Sequence, residues 1–104
     1  KRTKTMLYMI LGHEADGGSG LRPSHREAHL KHVRPLLDQG RLILAGPRPA
    51  IDAEDPGEAG YLGSLIVAEF DSLADAQAWA DADPYLAGGV FKNVEVCAFK
   101  QVLP

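Results

Sequence analysis

Imidazole is the side chain that gives and takes a proton near neutral pH. That makes His29 the first residue of this chain to weigh for chemistry. The spacing of Leu30, Val33, Leu36 and Leu37 predicts one buried stripe on a helix. His29 and Arg26 fall inside that stripe. A histidine there could be a proton-transfer group, or a core-edge ring satisfied by one backbone carbonyl. An arginine is seldom buried without a partner, and a cation in the first helical turn opposes the helix dipole. Arg26 therefore reads either as a ligand-binding cation or as half of a structural ion pair. Asp83 precedes Pro84, which restricts it to an extended backbone and holds its carboxylate in one direction. The alternative for Asp83-Pro84-Tyr85 is a plain helix stop.

Other residues carry weaker signals. Gly46-Pro47 could bring backbone donors close to an anion. Ser64 could donate a hydroxyl to a ligand, or merely begin a strand. His25, His29 and His32 share one helical face at spacings that let neighbours meet, which suits a metal; the plainer reading is two solvent-facing histidines beside one special one. A complete site needs a further ligand in reach, and Cys97, on a strand of unknown facing, is a single candidate; the expectation is no metal and no cofactor. Cys97 has no nucleophile signature around it and reads as a small buried hydrophobe.

The elements that must position these residues follow from pattern. Met6–Leu11 is a short apolar run ended by Gly12, a buried strand. Asp16-Gly17-Gly18-Ser19-Gly20 is a flexible loop by composition. Ser24 and Glu27 have capping-box spacing and predict a helix start there, running to about Asp38 with Pro35 inside and Gly40 just past its end. Arg41–Ala45 is a second strand, ended by Gly46-Pro47. Residues 47–60 make a long polar loop of the kind that is usually functional or disordered. Ser64–Phe70 is a third strand. Ser72 with Asp75 opens a second helix that ends near Asp81. Val90–Phe99 alternates as a fourth strand, with Val94, Val96 and Ala98 on one face.

Strand, helix, strand, strand, helix, strand is the split βαββαβ order. The expected fold is α+β and ferredoxin-like: a four-stranded antiparallel sheet with two helices on one face. The first strand is apolar on both sides, so the uncovered sheet face predicts a homodimer packed sheet to sheet. One domain accounts for all 104 residues, with residues 1–5 as an extension.

Composition narrows the function classes. The chain is 45% hydrophobic and 24% charged, the balance of a globular protein. A net charge of −3 without a basic stripe argues against nucleic acid. No apolar run approaches the roughly 20 residues of a membrane helix, so no membrane association is expected. A single cysteine rules out an internal disulfide and suits a reducing, cytoplasmic setting.

Several segments together resemble the YciI family, whose members carry a YCII-related domain. They are Arg26-Glu27-Ala28-His29-Leu30, Gly40-Arg41-Leu42, Ala45–Asp52, Asp55–Ser64, Ala68-Glu69-Phe70, Ala76–Tyr85 and Ala98-Phe99-Lys100. The resemblance spans about Met6 to Leu103. It implies a ferredoxin-like dimer of the dimeric α+β barrel type. It also implies a site centred on a histidine and an aspartate, matching His29 and Asp83. Arg26, Gly46, Pro47 and Ser64 match recurring positions around the same cleft. On this basis the expected protein is a cofactor-independent enzyme of lyase or isomerase type. His29 would transfer a proton, Asp83 would orient its ring, and Arg26 would hold an anionic or enolic oxygen of a small molecule. The alternative is a dimeric module that binds such a molecule without transforming it.

Overall fold

Strand alternation places Tyr8, Ile10 and Gly12 of the first strand on one side of the sheet, buried, and leaves Leu7, Met9 and Leu11 half-buried on the other. A computed structural model describes residues 5–104. The proposed N-terminal extension lies, except for Thr5, outside the described residues. The elements are β1 (Met6–Glu14), α1 (Arg22–Asp38), β2 (Leu42–Pro49), β3 (Tyr61–Phe70), α2 (Leu73–Asp81), α3 (Pro84–Ala87) and β4 (Phe91–Phe99). Short 3₁₀ turns at Gly18–Leu21 and Gly57–Ala59 complete the described chain.

The sheet order is β2-β3-β1-β4, with every neighbouring pair antiparallel. This is the ferredoxin-like arrangement expected from the element order. The core lies between the sheet and the helices. Tyr8, Ile10, Ile66, Ala68 and Phe70 from the sheet meet Val33 and Leu36 of α1 and Ala76 and Ala80 of α2. The two alanines are 0% and 1% exposed, and their small side chains let α2 lie close to the strands. A second cluster of Tyr85, Val90 and Phe91 anchors α3 to the start of β4.

Serine spacing predicts two helix starts, and the structure has one of them. Ser72 caps α2 as expected, its hydroxyl accepting from the Asp75 N–H at 3.0 Å. Ser24 caps nothing, because α1 begins two residues earlier. The 3₁₀ turn feeds directly into it, and Pro23 sits in the first turn, where its missing N–H costs no hydrogen bond. The Gly17–Gly20 stretch is accordingly a tight turn rather than a loose loop. A Cβ on Gly18 would stand 2.2 Å from the Val90 carbonyl oxygen, so this glycine serves close approach.

The far ends of the elements also differ in part. Helix α1 does end at Asp38 with Pro35 inside it. Strand β2 does not stop at Gly46-Pro47. It continues to Pro49 as an edge strand, where proline forfeits no ladder bond on its solvent side. Helix α2 ends at Asp81 as expected, and Asp83, two residues on, starts a short third helix, α3, that the pattern did not reveal. Leu30 and Leu37 are 37% and 59% exposed rather than core. The inward face of α1 is instead Arg22, Val33 and Leu36, with His25, His29 and His32 half-buried beside them.

Candidate functional site

Between α1, α3 and the β2–β3 half of the sheet lies a cavity of about 440 Å³. Val33, Leu30, Ala45 and Ile66 give it apolar walls, and Tyr61 and Tyr85 add aromatic ones. Its polar groups are Arg22, Arg26, His29 and Ser64. Concave, mostly apolar hollows with a few convergent polar groups are where small molecules bind.

His29 and Asp83 are 54 residues apart in sequence and in direct contact in the fold. His29 Nδ1 lies 2.8 Å from Asp83 Oδ1 and 3.0 Å from Oδ2. Asp83 is held from several sides. Its backbone is extended (φ −63°, ψ 124°), as the following proline demands, and it caps α3 by accepting from the Tyr85 N–H at 2.9 Å. Its side chain is 4% exposed and that of His29 13%. The imidazole also stacks on the Tyr85 ring, with centroids 4.0 Å apart and planes 4° from parallel. Ring position, tilt and rotation are thereby all constrained. An ionised carboxylate only accepts hydrogen bonds, so the Nδ1 facing it carries the hydrogen. In a neutral ring Nε2 is then the bare lone pair, and it has no partner among the described residues.

A buried ion pair forms the end of the cavity. Arg22 donates from Nε to Glu14 Oε2 at 2.7 Å and from Nη2 to Glu14 Oε1 at 2.8 Å, a two-pronged contact. Both side chains are 6% exposed. Ser19 supports the glutamate from its hydroxyl at 2.8 Å and also accepts from the Tyr61 N–H at 2.9 Å. The guanidinium lies 4.7 Å from the Tyr61 ring centre and 5.3 Å from that of Tyr85, distances at which a cation is attracted to an aromatic face. It also donates to Ser64 Oγ at 3.1 Å.

The fold thus gathers His29, Arg26, Gly46, Pro47 and Ser64 around one hollow, with Asp83 behind the histidine. Arg26 is exposed and has no hydrogen bond or ion pair among the described residues, so the structural-pair reading of it is not what the fold uses. Gly46 and Pro47 lie inside β2, opposite Leu65 and Ser64, and nothing stands within 4 Å of where a Gly46 Cβ would be.

The flanking histidines are not solvent-facing. His32 donates from Nε2 to the Trp79 carbonyl at 2.8 Å and stacks on that indole at 4.4 Å. His25 packs against Gly88, where a Cβ would come within 2.8 Å of its ring. The three imidazoles therefore share a face but serve three different partners. Among the described residues no three His, Cys, Asp or Glu side chains converge on a metal position. Cys97 is exposed rather than buried, because it pairs with Met9 on the uncovered sheet face.

Arg22, Glu14 and Tyr61 were not among the expected site residues, and Tyr85 entered only as part of the Asp83-Pro84-Tyr85 turn. One signal was present: Arg22 precedes His29 by seven residues, two helical turns, and so shares its face.

Strand order, sheet pairing and helices on one face define an α+β protein of ferredoxin-like fold. A solved structure agrees. The 5-chloro-2-hydroxyhydroquinone dehydrochlorinase of Burkholderia phenoliruptrix, in complex with 2,5-dihydroxybenzoquinone, superposes with a TM-score of 0.76 at 23% identity, covering 91% of this chain and 94% of that one. More narrowly, the chain belongs to the YCII-related domain family, whose model matches residues 6–100. Protein YciI of Escherichia coli is 53% identical over 97 residues, 93% of this chain and 99% of that protein. An uncharacterised protein of Haemophilus influenzae is 42% identical over the same shares. Among the described residues no helix is long and apolar enough to cross a membrane.

Proposed function

We propose that this protein is a small-molecule enzyme of lyase or isomerase type that works by acid–base catalysis without a cofactor, with His29 as the proton carrier. The observation that carries this is the His29 Nδ1–Asp83 contact at 2.8 Å, made by a ring that also borders the cavity. Asp83 fixes the tautomer with Nε2 as base and stabilises the imidazolium that forms, as the carboxylate of a catalytic triad does. A positioned group of this kind accelerates proton transfer by about 10²–10⁴-fold. Arg26, free of protein partners among the described residues, supplies positive charge for an anionic or enolic oxygen, and Ser64 and the β2 backbone around Gly46-Pro47 complete the binding surface. The dehydrochlorinase that shares the fold is consistent with elimination chemistry on this scaffold.

The working unit is a homodimer in the cytoplasm. Support comes from the register, which places Leu7, Met9, Leu11, Leu65 and Phe99 together on the uncovered side of the sheet. A second copy packed there removes that apolar surface from water. The exposed Cys97 thiol suits a reducing compartment.

The test compares wild type with His29→Gln on an extract of bacterial metabolites, followed by mass spectrometry. The expected result is at least one small molecule consumed by wild type and untouched by the variant. Ligands that bind equally to both, with no metabolite changing, would make this a binding module and end the catalytic reading.

A further inference from the structure

Ser64 is 5% exposed, borders the cavity, and accepts a hydrogen bond from Arg22 Nη2 at 3.1 Å. A guanidinium has donors only. That contact therefore occupies an oxygen lone pair of Ser64 and leaves the hydroxyl hydrogen unused. It makes no hydrogen bond to another of the described residues. A buried hydroxyl normally gives its hydrogen to something. Arg22 is itself immobile, clamped by Glu14 on two nitrogens and lodged among Tyr61, Tyr85 and Phe91. The polarity of the serine is thus set from behind: cation to oxygen, then O–H outward into the hollow. Hydrogen bonds in such a chain strengthen one another at low dielectric.

From this geometry we infer that Ser64 is the donor to a substrate carbonyl oxygen, that Arg22 is the positioning residue that orients it, and that the substrate is a small enolisable carbonyl compound. The inference rests on the proton-transfer role of His29 proposed above. His29 Nε2 takes the proton from the carbon beside the carbonyl. The C–H electron pair forms a C=C bond, and the carbonyl π pair moves onto oxygen, where the Ser64 O–H meets the new negative charge. Collapse of that charge restores C=O. The C=C pair then forms a new double bond to the β-carbon: either the pair of an adjoining β,γ double bond takes the proton back from the imidazolium at the γ-carbon, which is isomerisation, or a leaving group departs from the β-carbon with its bonding pair and takes that proton, which is elimination. No oxidant, reductant or further reactant is needed. The stabilisation is specific to the step because a hydroxyl bonds an oxyanion more strongly than a neutral carbonyl.

The probe is 4-nitrophenol, whose absorbance separates phenol from phenolate and whose phenolate imitates an enolate oxygen on a planar ring. Nitrobenzene, with the same ring and no oxyanion, is the control. Wild type is expected to bind the phenolate more tightly than nitrobenzene and to raise the phenolate fraction of bound probe. Ser64→Ala is expected to weaken phenolate binding by about ten- to a hundredfold while leaving nitrobenzene unchanged. Ser64→Thr, which restores a hydroxyl, is expected to recover most of the phenolate binding, and thermal melting verifies that both variants fold. Equal phenolate binding by wild type and Ser64→Ala overturns the inference, as does a wild-type protein with no preference for phenolate. Because this assay involves no turnover, its failure beside a positive His29→Gln comparison removes the serine role alone. Failure of that comparison removes the reading beneath it.

Discussion

Replacing Arg22 by methionine is expected to destabilise this protein more than most single changes, and the reason lies in what is left behind. Arg22 and Glu14 are each 6% exposed and joined by hydrogen bonds of 2.7 and 2.8 Å. Without the guanidinium, the Glu14 carboxylate keeps only the Ser19 hydroxyl at 2.8 Å and remains cut off from water. Removing one partner of a buried pair in this way costs about 3–5 kcal/mol, against a total of about 5–15 kcal/mol for an ordinary domain. Glu14→Leu alone strands the cation in turn. Its Tyr61 and Tyr85 faces and its Ser64 contact soften that loss, which should sit near the low end of the range. The double variant removes both charges and fills the space with apolar atoms, so it should lie within about 2 kcal/mol of wild type. The two single losses are then far from additive, with a coupling of roughly 3 kcal/mol or more. Urea unfolding of all four proteins, with slopes compared as well as midpoints, measures this. An Arg22→Met loss below about 1 kcal/mol, or a double variant as unstable as the two singles combined, would refute the argument that this pair is a dry, mutually dependent unit.

Other expectations follow from single contacts. Gly63 has φ +149°, and a Cβ there would stand 1.7 Å from the Gly12 carbonyl oxygen of the neighbouring strand, so Gly63→Ala should cost about 3 kcal/mol or more in urea unfolding. A loss under 1 kcal/mol would mean that β1 and β3 separate easily. Ser72→Ala removes the hydroxyl that caps α2 and should cost about 1 kcal/mol, whereas Ser24→Ala should cost far less because Ser24 caps nothing. Equal losses at the two serines would contradict the helix starts seen here. Met9→Glu puts a charge at the centre of the uncovered sheet face, beside Val67 and Cys97, and should weaken a sheet-to-sheet dimer at least about a hundredfold. Light scattering after gel filtration reads this, and a variant of unchanged mass would place any interface elsewhere.

Much of the fold was legible because its signals are local. The short apolar run of β1 and the alternation in β4 are properties of consecutive residues, and so are the Ser72 cap, the extended backbone forced on Asp83 and the end of α1 at Asp38. The strand and helix order then leaves few topologies. One local misreading had a distant effect. Starting α1 at Ser24 left Arg22 in a loop, and the buried cation that closes the cavity went unseen. The exposure of Leu30 and Leu37 has a related cause. The inner face of α1 near the site is built from Arg22, His25 and His29, so hydrophobic periodicity does not mark the buried side there.

The sequence by itself determined the four strands and the two longer helices, their order, the family and the residue types available for proton chemistry. Tertiary structure decided which of those residues meet. His29 and Asp83 lie 54 positions apart, and their 2.8 Å contact exists only because α3 docks against α1. Packing likewise gave His32 to Trp79 and His25 to Gly88, and left Arg26 unpaired among the described residues, although His25, His29, His32 and Arg26 lie on one short stretch of helix. Spacing along a chain specifies the direction of a side chain relative to its own helix axis. What it touches depends on how that axis is laid over the rest of the core, and that is set by long-range burial.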